Sequence, residues 1–342
     1  MIALDKIRIT EELLMDICQL EVFNSRLPYI HKNSYWTNLL KAQARTIGTA
    51  SSLRIEGIAI KDYEAERLLG GMMSTLHKEK DAAEARGYAE ALDYINDYFE
   101  IMELNELNLK KIHKMIVQNG DGEYRKGVKP HQNIQVDEPY VSNAEDHEIP
   151  SLTIELLDET DMLLKSKSHH PILVIALFIV HFLAINPFEE GNGRVSRLLL
   201  IMLLQKAGYS FIRYQSVEAV IEESRKTYLY ALKRTQQTFS GSIDYASWLG
   251  FFTKTLLKTC LRLEVRMSKL EKTKANKDEL SPLELDAIST IRQNGKIYTS
   301  ALVKQLPQYK MPTIKKALSE LVAKDIIVML GKGRGTYYKV KE

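Results

Sequence analysis

The sequence predicts a mainly α-helical fold in two parts: a large helical core that carries a small β-hairpin, and a smaller C-terminal domain with helices and a hairpin of its own. Three observations support this prediction. Apolar residues recur at three- and four-residue spacing along much of residues 1–260. Glycine and proline interrupt that pattern between residues 119 and 150. A polar, charged stretch, residues 271–282, then separates the last part of the chain from the rest.

The composition indicates a soluble chain of two domains. At 342 residues and 45% hydrophobic, the chain exceeds the size at which a single core usually stops growing. Cys18 and Cys260 lie far apart and form no C-x-x-C pair, so neither a disulfide framework nor a zinc site is predicted. The N-terminus is charged from Asp5 onward and has no apolar signal sequence, so we expect a cytoplasmic protein.

The elements follow in order along the chain. Helices are predicted at residues 63–75, 82–98, 151–164, 171–185, 194–207, 217–239 and 245–270. Between residues 119 and 150, short alternating segments such as 133–136 predict a long loop that carries a hairpin. The apolar run 172–185 is too short for a membrane span, contains His181 and ends at Asn186-Pro187. We therefore expect a core helix that is buried on all sides, with His181 hydrogen-bonded inside the core, and no membrane association.

Residues 282–342 predict a winged helix-turn-helix domain. Helices at 283–293, 299–306 and 312–324 precede two strands, 326–330 and 336–340, which are joined by a glycine-rich turn. In such a domain the third helix reads the major groove of DNA and the hairpin can touch phosphate. The charge supports an anionic partner, because residues 261–342 hold 17 Lys and Arg against 9 Asp and Glu. The DNA-binding candidates are Lys310, Lys315, Lys316, Lys332 and Arg334; a dimerisation or docking module with merely solvated lysines stays open.

The segment from Asn186 to Arg197 reads NPFEEGNGRVSR and carries the predicted chemistry. Two glycines flank Asn192, so successive backbone N–H groups can point into one concavity at the start of a helix. Arg194 and Arg197 share a helix face, and Glu190 can hold a divalent cation that bridges phosphate oxygens. These features favour a nucleotide-phosphate site over a glycine-rich connecting turn. Its predicted phosphate-binding residues are Gly191, Asn192, Gly193, Arg194 and Arg197.

This segment resembles the Fic-family motif H-P-F-x-[DE]-G-N-G-R-x-x-R, matched at Pro187, Phe188, Glu190, Gly191, Asn192, Gly193, Arg194 and Arg197. The resemblance extends over about residues 40–262, and Tyr124-Arg125 with the following hairpin resembles the family's substrate-clamping flap. It implies a Fic-type helical core and transfer of AMP from ATP to a hydroxyl of a target protein. It also implies that the motif histidine acts as general base and that Glu190 holds magnesium.

A second motif, Ser52-Leu53-Arg54-Ile55-Glu56-Gly57, resembles the inhibitory helix [ST]-x-x-x-E-[GN] of one class of Fic proteins. The resemblance implies that Glu56 pairs with Arg197 and displaces the γ-phosphate of ATP. The inhibitory residues are Ser52, Glu56 and Gly57. The predicted domains are an N-terminal helical region at 1–100 with the inhibitory helix around 45–57, the Fic core at 101–262, a helix end and linker at 263–281, and the winged helix at 282–342.

Asn186 stands where the family motif has its catalytic histidine. An amide does not titrate near neutral pH, so a general-base contribution of about 10²- to 10⁴-fold is expected to be lost. Nucleotide binding does not require that base, so the sequence predicts an AMP transferase scaffold with impaired or absent activity. A natural degenerate member, an engineered knock-out and a member whose substrate needs no strong base all stay open. So does a nucleotide-sensing DNA-binding regulator, and so does a homodimer; the target protein is not predicted.

Overall fold

The structure, a computed structural model, describes residues 2–26, 35–71, 79–117, 120–126, 145–275, 280–331 and 333–341. They form two compact units, Met1–Glu264 and Val265–Glu342. The predicted mainly helical fold class, with a small amount of β-structure, is confirmed. The hairpin predicted near residues 133–136 lies outside the described residues.

The first unit is built from helices, which include helical segments at each of the predicted places. They are α1 (Glu11–Arg26), α2 (Tyr35–Ile55), α3 (Asp62–Leu69), α4 (Glu79–Tyr98), α5 (Glu106–Ile116), α6 (Ile149–Ser166), α7 (Pro171–Ile185), α8 (Asn192–Lys206), α9 (Val217–Glu223), α10 (Arg225–Gln236) and α11 (Ala246–Ala275). Most bounds lie within a few residues of the predicted ones, which is the usual uncertainty of a helix end.

Helix α7 lies in the core of the first unit. All its residues from Ile172 to Ile185 are buried, and the helix packs against α6, α8 and α10. The indole of Trp248 donates a hydrogen bond of 2.6 Å to the carbonyl of Ala176, so a polar group that enters this core is satisfied. Within the described residues, none of the helices has both the length and the apolar character needed to cross a bilayer.

The prediction of a single helix at 217–239 is wrong, because the chain leaves the helical conformation at Ser224. This residue has φ −105° and ψ 23°, and α10 begins at the next residue, Arg225. Ser216 caps the short helix α9 by accepting a hydrogen bond of 3.0 Å from the Ala219 N–H. Helix α9 packs closely on α2, the helix that carries the predicted inhibitory motif.

After the end of α11, the described part of the second unit forms helices and a small antiparallel sheet. Its elements are α12 (Pro282–Asn294), β1 (Ile297–Tyr298), α13 (Thr299–Gln305), α14 (Met311–Ala323), β2 (Ile327–Leu330) and β3 (Tyr337–Val340). Strand β3 lies between β1 and β2, with Tyr338 opposite both Ile297 and Met329. Ser281 and Glu284 form a capping box that starts α12.

Candidate functional site

The site is built on the turn that joins α7 to α8. Asn186 ends α7 in the left-handed conformation, with φ 51° and ψ 62°, and its N–H donates to the carbonyl of Phe182. Apart from glycine, asparagine is the residue that enters this region most readily. Asn186 therefore fits the backbone of the turn, and its amide has no group that could act as a base near neutral pH.

Asn192 closes this turn with its side chain. Its Oδ1 accepts a hydrogen bond of 2.9 Å from the Phe188 N–H, and its Nδ2 donates one of 2.7 Å to the Phe188 carbonyl. Gly191 precedes it with φ +82°, a conformation that favours glycine. Asn192 was predicted as a phosphate-binding residue, and in the structure its side chain is engaged in holding the loop.

Arg197 contacts Ser52 and Glu56 of the second motif. Its Nη2 lies 2.8 Å from Glu56 Oε1, and its Nε donates to Ser52 Oγ at 2.8 Å. The Ser52 carbonyl accepts a further bond of 3.0 Å from Nη2. Burial lowers the pKa of Arg197, but the Glu56 carboxylate raises it, and the resulting pKa lies above the ordinary value of an arginine. The guanidinium is thus a buried cation that Glu56 neutralises.

The Glu56 carboxylate lies over the first turn of α8. A Cβ placed on Gly193 would come within 2.2 Å of Glu56 Oε1 and 3.2 Å of Arg197 Nη1. Gly193 therefore leaves the room that the carboxylate fills. The N-terminal end of a helix favours negative charge, so the carboxylate occupies the place predicted for an anion. Gly57, with φ +88°, ends the segment directly after Glu56.

Arg194 is held differently from Arg197. Its Nη1 lies 2.6 Å from Glu84 Oε2 and donates to the Ile116 carbonyl at 3.1 Å. Both members of this ion pair are almost fully buried. The sequence predicted that the two arginines would reach one polyphosphate together, whereas the structure engages Arg194 in a buried pair with α4. Sequence reasoning missed Glu84, although an acidic residue on the alanine-rich buried face of α4 is a recognisable signal.

Glu190, the predicted metal ligand, is 45% exposed and contacts a lysine. Lys80 Nζ lies 3.1 Å from Glu190 Oε2 and 3.5 Å from Glu84 Oε1. Among the described residues no group of three or more His, Cys, Asp or Glu is arranged to hold a metal ion. A single carboxylate fits magnesium that arrives with nucleotide phosphates, because Mg²⁺ is usually held by one or two carboxylates and those phosphates. Lys80, which sequence reasoning also missed, would have to move aside.

His113 and Arg125 both contact backbone carbonyls of the turn. The His113 ring stacks on Phe188 with centroids 3.8 Å apart, and its Nε2 lies 3.1 Å from the Glu190 carbonyl. Burial lowers the pKa of His113, so the neutral ring donates from Nε2. Arg125 donates from its backbone N–H to the Pro187 carbonyl and from Nε to the Asn186 carbonyl, both at 2.9 Å. Tyr124-Arg125 thus adjoins the turn, while residues 127–144 of the predicted flap lie outside the described residues.

His181 is a core residue that lies five positions before Asn186. Its Nε2 lies 2.8 Å from the Tyr245 hydroxyl, and its ring stacks on Phe239 with centroids 4.4 Å apart. Burial lowers its pKa to about 4. The ring is therefore neutral, with Nε2 beside the Tyr245 hydroxyl and one face on Phe239.

The predicted DNA-binding lysines lie on the second unit. Lys310 precedes α14, and Lys315 and Lys316 lie on it; all three are exposed. Lys316 Nζ lies 3.8 Å from Glu320 Oε1 one turn later. Lys332 and the side chain of Arg334 lie outside the described part of the chain.

Comparison with known proteins identifies the segment that holds this turn. The model of the Fic/DOC family matches residues 103–204, from just before α5 almost to the end of α8. Residues 103–204 form a Fic/DOC family domain. The family resemblance predicted from the motif is confirmed, and the domain contains Asn186, Glu190, Arg194 and Arg197. Ser52 and Glu56 lie outside it in sequence and reach it through α2.

Curated relatives that the chain resembles carry the name of the same family. The Protein adenylyltransferase Fic of Drosophila ananassae is 26% identical over 233 residues, which cover 64% of this chain and 43% of that protein. The one from Drosophila mojavensis is 38% identical over 69 residues, 20% of this chain and 12% of that protein. The chain thus spans less than half the length of these relatives.

Among solved structures, a Fic family protein from Desulfovibrio desulfuricans G20 superposes with a TM-score of 0.67 at 19% identity, covering 98% of this chain and 97% of that one. A Fic domain containing signaling protein from Bacteroides thetaiotaomicron VPI-5482 gives 0.60 at 18% identity, covering 74% and 96%. At these identities the similarity establishes the fold.

Proposed function

We propose that this chain is a Fic-type protein AMP transferase scaffold that binds Mg·ATP at the start of α8, is inhibited by Glu56, and is weakened in its chemistry by Asn186. The observation that carries the proposal is the Glu56 carboxylate over Gly193, in an ion pair of 2.8 Å with Arg197. Its relatives from Drosophila, named Protein adenylyltransferase Fic, support the same reaction.

We call the turn of residues 186–191 between α7 and α8, together with the first turn of α8, the Fic turn. It has the properties of a phosphate site that is held closed. Arg197 is a buried cation, and the first turn of α8 adds the positive end of a helix. A γ-phosphate competes with the Glu56 carboxylate for both, because two anions at the same place repel each other. Magnesium would enter with the nucleotide, held by Glu190 and the phosphates. Mg·ATP binding accordingly requires Glu56 to leave Arg197.

AMP transfer also requires that a proton be removed. The target hydroxyl attacks the α-phosphorus, the bond to the bridging oxygen breaks, and pyrophosphate leaves. The hydroxyl proton needs an acceptor, and the amide of Asn186 is a poor one at neutral pH. Positioning and charge neutralisation by the Fic turn remain in place, so nucleotide can bind while transfer is slow.

The test is a double variant, Glu56→Gly with Asn186→His. The two changes act on different steps, since the first lets the γ-phosphate seat and the second restores a base. The base contributes about 10²- to 10⁴-fold, and alignment a comparable factor. We expect AMP transfer onto the protein itself or a partner, at a rate roughly tenfold or more above that of either single variant. Labelled ATP and intact-mass spectrometry would measure it.

The Glu56→Gly single variant is the matched control, because it has the same opened site and keeps the amide. A double variant that binds ATP but transfers no AMP would exclude the transferase part of the proposal. It would leave nucleotide binding as the activity of the Fic turn.

A second candidate function is a nucleotide-sensing DNA-binding regulator. The observation in its favour is the exposed lysine group of α14, on the helix that would read DNA in a winged helix. Sensing needs nucleotide binding but no base, so Asn186 is compatible with it. The two candidates differ in whether restoring histidine at position 186 creates transferase activity.

A further inference from the structure

Four residues of α9 and α10 lie beside the inhibitory segment. Three of them contact the C-terminal half of α2, and Tyr228 contacts Arg197. The four are Glu218 and Glu222, one turn apart on α9, and Arg225 and Tyr228, one turn apart on α10 after the break at Ser224. We call them the α9–α10 face. Tyr228 lines a small buried cavity of about 20 Å³ together with Arg197.

Glu222 holds the last turn of α2 through Arg54. Arg54 Nε lies 2.5 Å from Glu222 Oε1 and Arg54 Nη2 lies 2.8 Å from Oε2, so the pair is bidentate. Arg54 Nη1 also donates to the Ile60 carbonyl at 2.7 Å and to Asp62 at 2.9 Å. The guanidinium is therefore fixed from both sides, two residues before Glu56.

Arg225 holds the residue next to Glu56. Its Nε donates a hydrogen bond of 3.0 Å to the carbonyl of Ile55, the last residue of α2. The final carbonyls of a helix lack partners within it, and a cation at this end is favourable. Glu222 and Arg225 thus anchor residues 54 and 55, and the inhibitory carboxylate follows at once.

Glu218 lies close to α2 about two turns earlier, beside Gly48. The Glu218 carboxylate accepts hydrogen bonds from the Tyr88 hydroxyl at 3.0 Å and from Ser216 Oγ at 2.8 Å. A Cβ on Gly48 would lie 2.9 Å from Glu218 Oε1, so this glycine lets α2 approach α9 closely. Helix α2 thus packs on α9 near Gly48 and is hydrogen-bonded to α9 and α10 at its last two residues.

We infer that Glu222 and Arg225 are positioning residues for Glu56, and that they set the affinity of the Fic turn for nucleotide. The inference rests on the proposed function, in which Glu56 competes with the γ-phosphate. If nucleotide binds only molecules whose Glu56 has left Arg197, the apparent affinity equals the intrinsic affinity multiplied by the fraction of such molecules. Anchoring residues 54 and 55 lowers that fraction without any contact between the α9–α10 face and the nucleotide.

The experiment compares two neighbouring glutamates on α9. Glu222→Ala removes the anchor on α2, whereas Glu223→Ala removes pairs with Lys258 and Arg262 on α11. We expect Glu222→Ala to tighten Mg·ATP binding, measured by calorimetry, by about three- to fivefold, the scale of a partly exposed ion pair. Glu223→Ala should retain the wild-type affinity. In the Glu56→Gly background, Glu222→Ala should have no further effect, because nothing remains to be positioned.

Amide hydrogen exchange of residues 50–56 gives a readout that does not involve nucleotide. It should accelerate in Glu222→Ala and stay unchanged in Glu223→Ala, and Arg225→Gln should reproduce the Glu222→Ala result if that variant fails to fold. Unchanged ATP affinity in Glu222→Ala and Arg225→Gln, beside tighter binding in Glu56→Gly, would overturn the inference. Wild-type affinity in Glu56→Gly would instead remove the proposed inhibition itself.

Discussion

At the scale of single residues, His181 links the core of the Fic domain to pH. Burial lowers its pKa from 6.5 to about 4, so the folded chain keeps the ring neutral while the unfolded chain protonates it below its ordinary pKa. The stability gained from the neutral ring is fully present above about pH 6.5 and is lost as the pH falls toward 4, by up to about 3 kcal/mol. Urea unfolding between pH 4.5 and 7.5 should show a flatter pH profile for His181→Gln than for the wild type. Parallel profiles would contradict this assignment.

Residue roles could be predicted from the sequence only where a motif supplied them. Glu56 and Arg197 lie 141 positions apart, and the resemblance of two short motifs alone suggested that they meet, as they do at 2.8 Å. The partner of Arg194 could not be found in this way, because Glu84 belongs to no motif and the pair forms only when α4 packs on α8. The contact of Lys80 with Glu190 could not be predicted for the same reason.

At the scale of elements, two glycines in helix interiors should respond in opposite ways to alanine. A Cβ on Gly87 of α4 would lie 2.0 Å from the Met115 carbonyl oxygen, so α4 and α5 would have to separate. We expect Gly87→Ala to cost about 2 kcal/mol of unfolding free energy. Beyond the local backbone of α11, no atom of the described residues lies within 4 Å of the corresponding position on Gly250. Gly250→Ala should therefore add about 0.5–1 kcal/mol through the unfolded chain and helix propensity. Equal stabilities in urea would contradict the close packing of α4 on α5.

Helices with a clear apolar period could be predicted from the sequence, and the interruptions between them could not. The fully apolar run gave α7 with its ends at Pro171 and Ile185, because proline starts the helix and Asn186-Pro187 ends it. The break at Ser224 carries neither glycine nor proline, so the apolar period runs across it. That break separates Glu222 from Arg225, both of which contact the end of α2.

At the scale of the whole molecule, the chain divides into two compact units, and each has a core of its own. The helix order and the final hairpin of the second unit could be predicted, because turn residues separate short apolar segments. Strand β1 was missed, since two residues, Ile297 and Tyr298, are too few to show an alternating pattern. Its pairing with β3 makes a three-stranded sheet from the predicted hairpin.

The last prediction concerns DNA binding by the second unit. The excess of positive charge lies in this part of the chain. Lys310 just before α14, and Lys315 and Lys316 on it, are exposed. Each lysine that meets a phosphate releases counterions, so it adds about 0.9 to the slope of log affinity against log salt concentration. Changing all three to Gln should weaken binding to duplex DNA across sequences and reduce that slope by up to about 3.

A control with Lys6, Lys165 and Lys226 changed to Gln has the same net charge and should bind as the wild type. Fluorescence anisotropy between 50 and 200 mM salt, a range over which such contacts change affinity strongly, separates the outcomes. If the chain lacking residues 280–342 binds duplex DNA as well as the full chain does, the second unit is not the DNA-binding module and the regulator hypothesis loses its output.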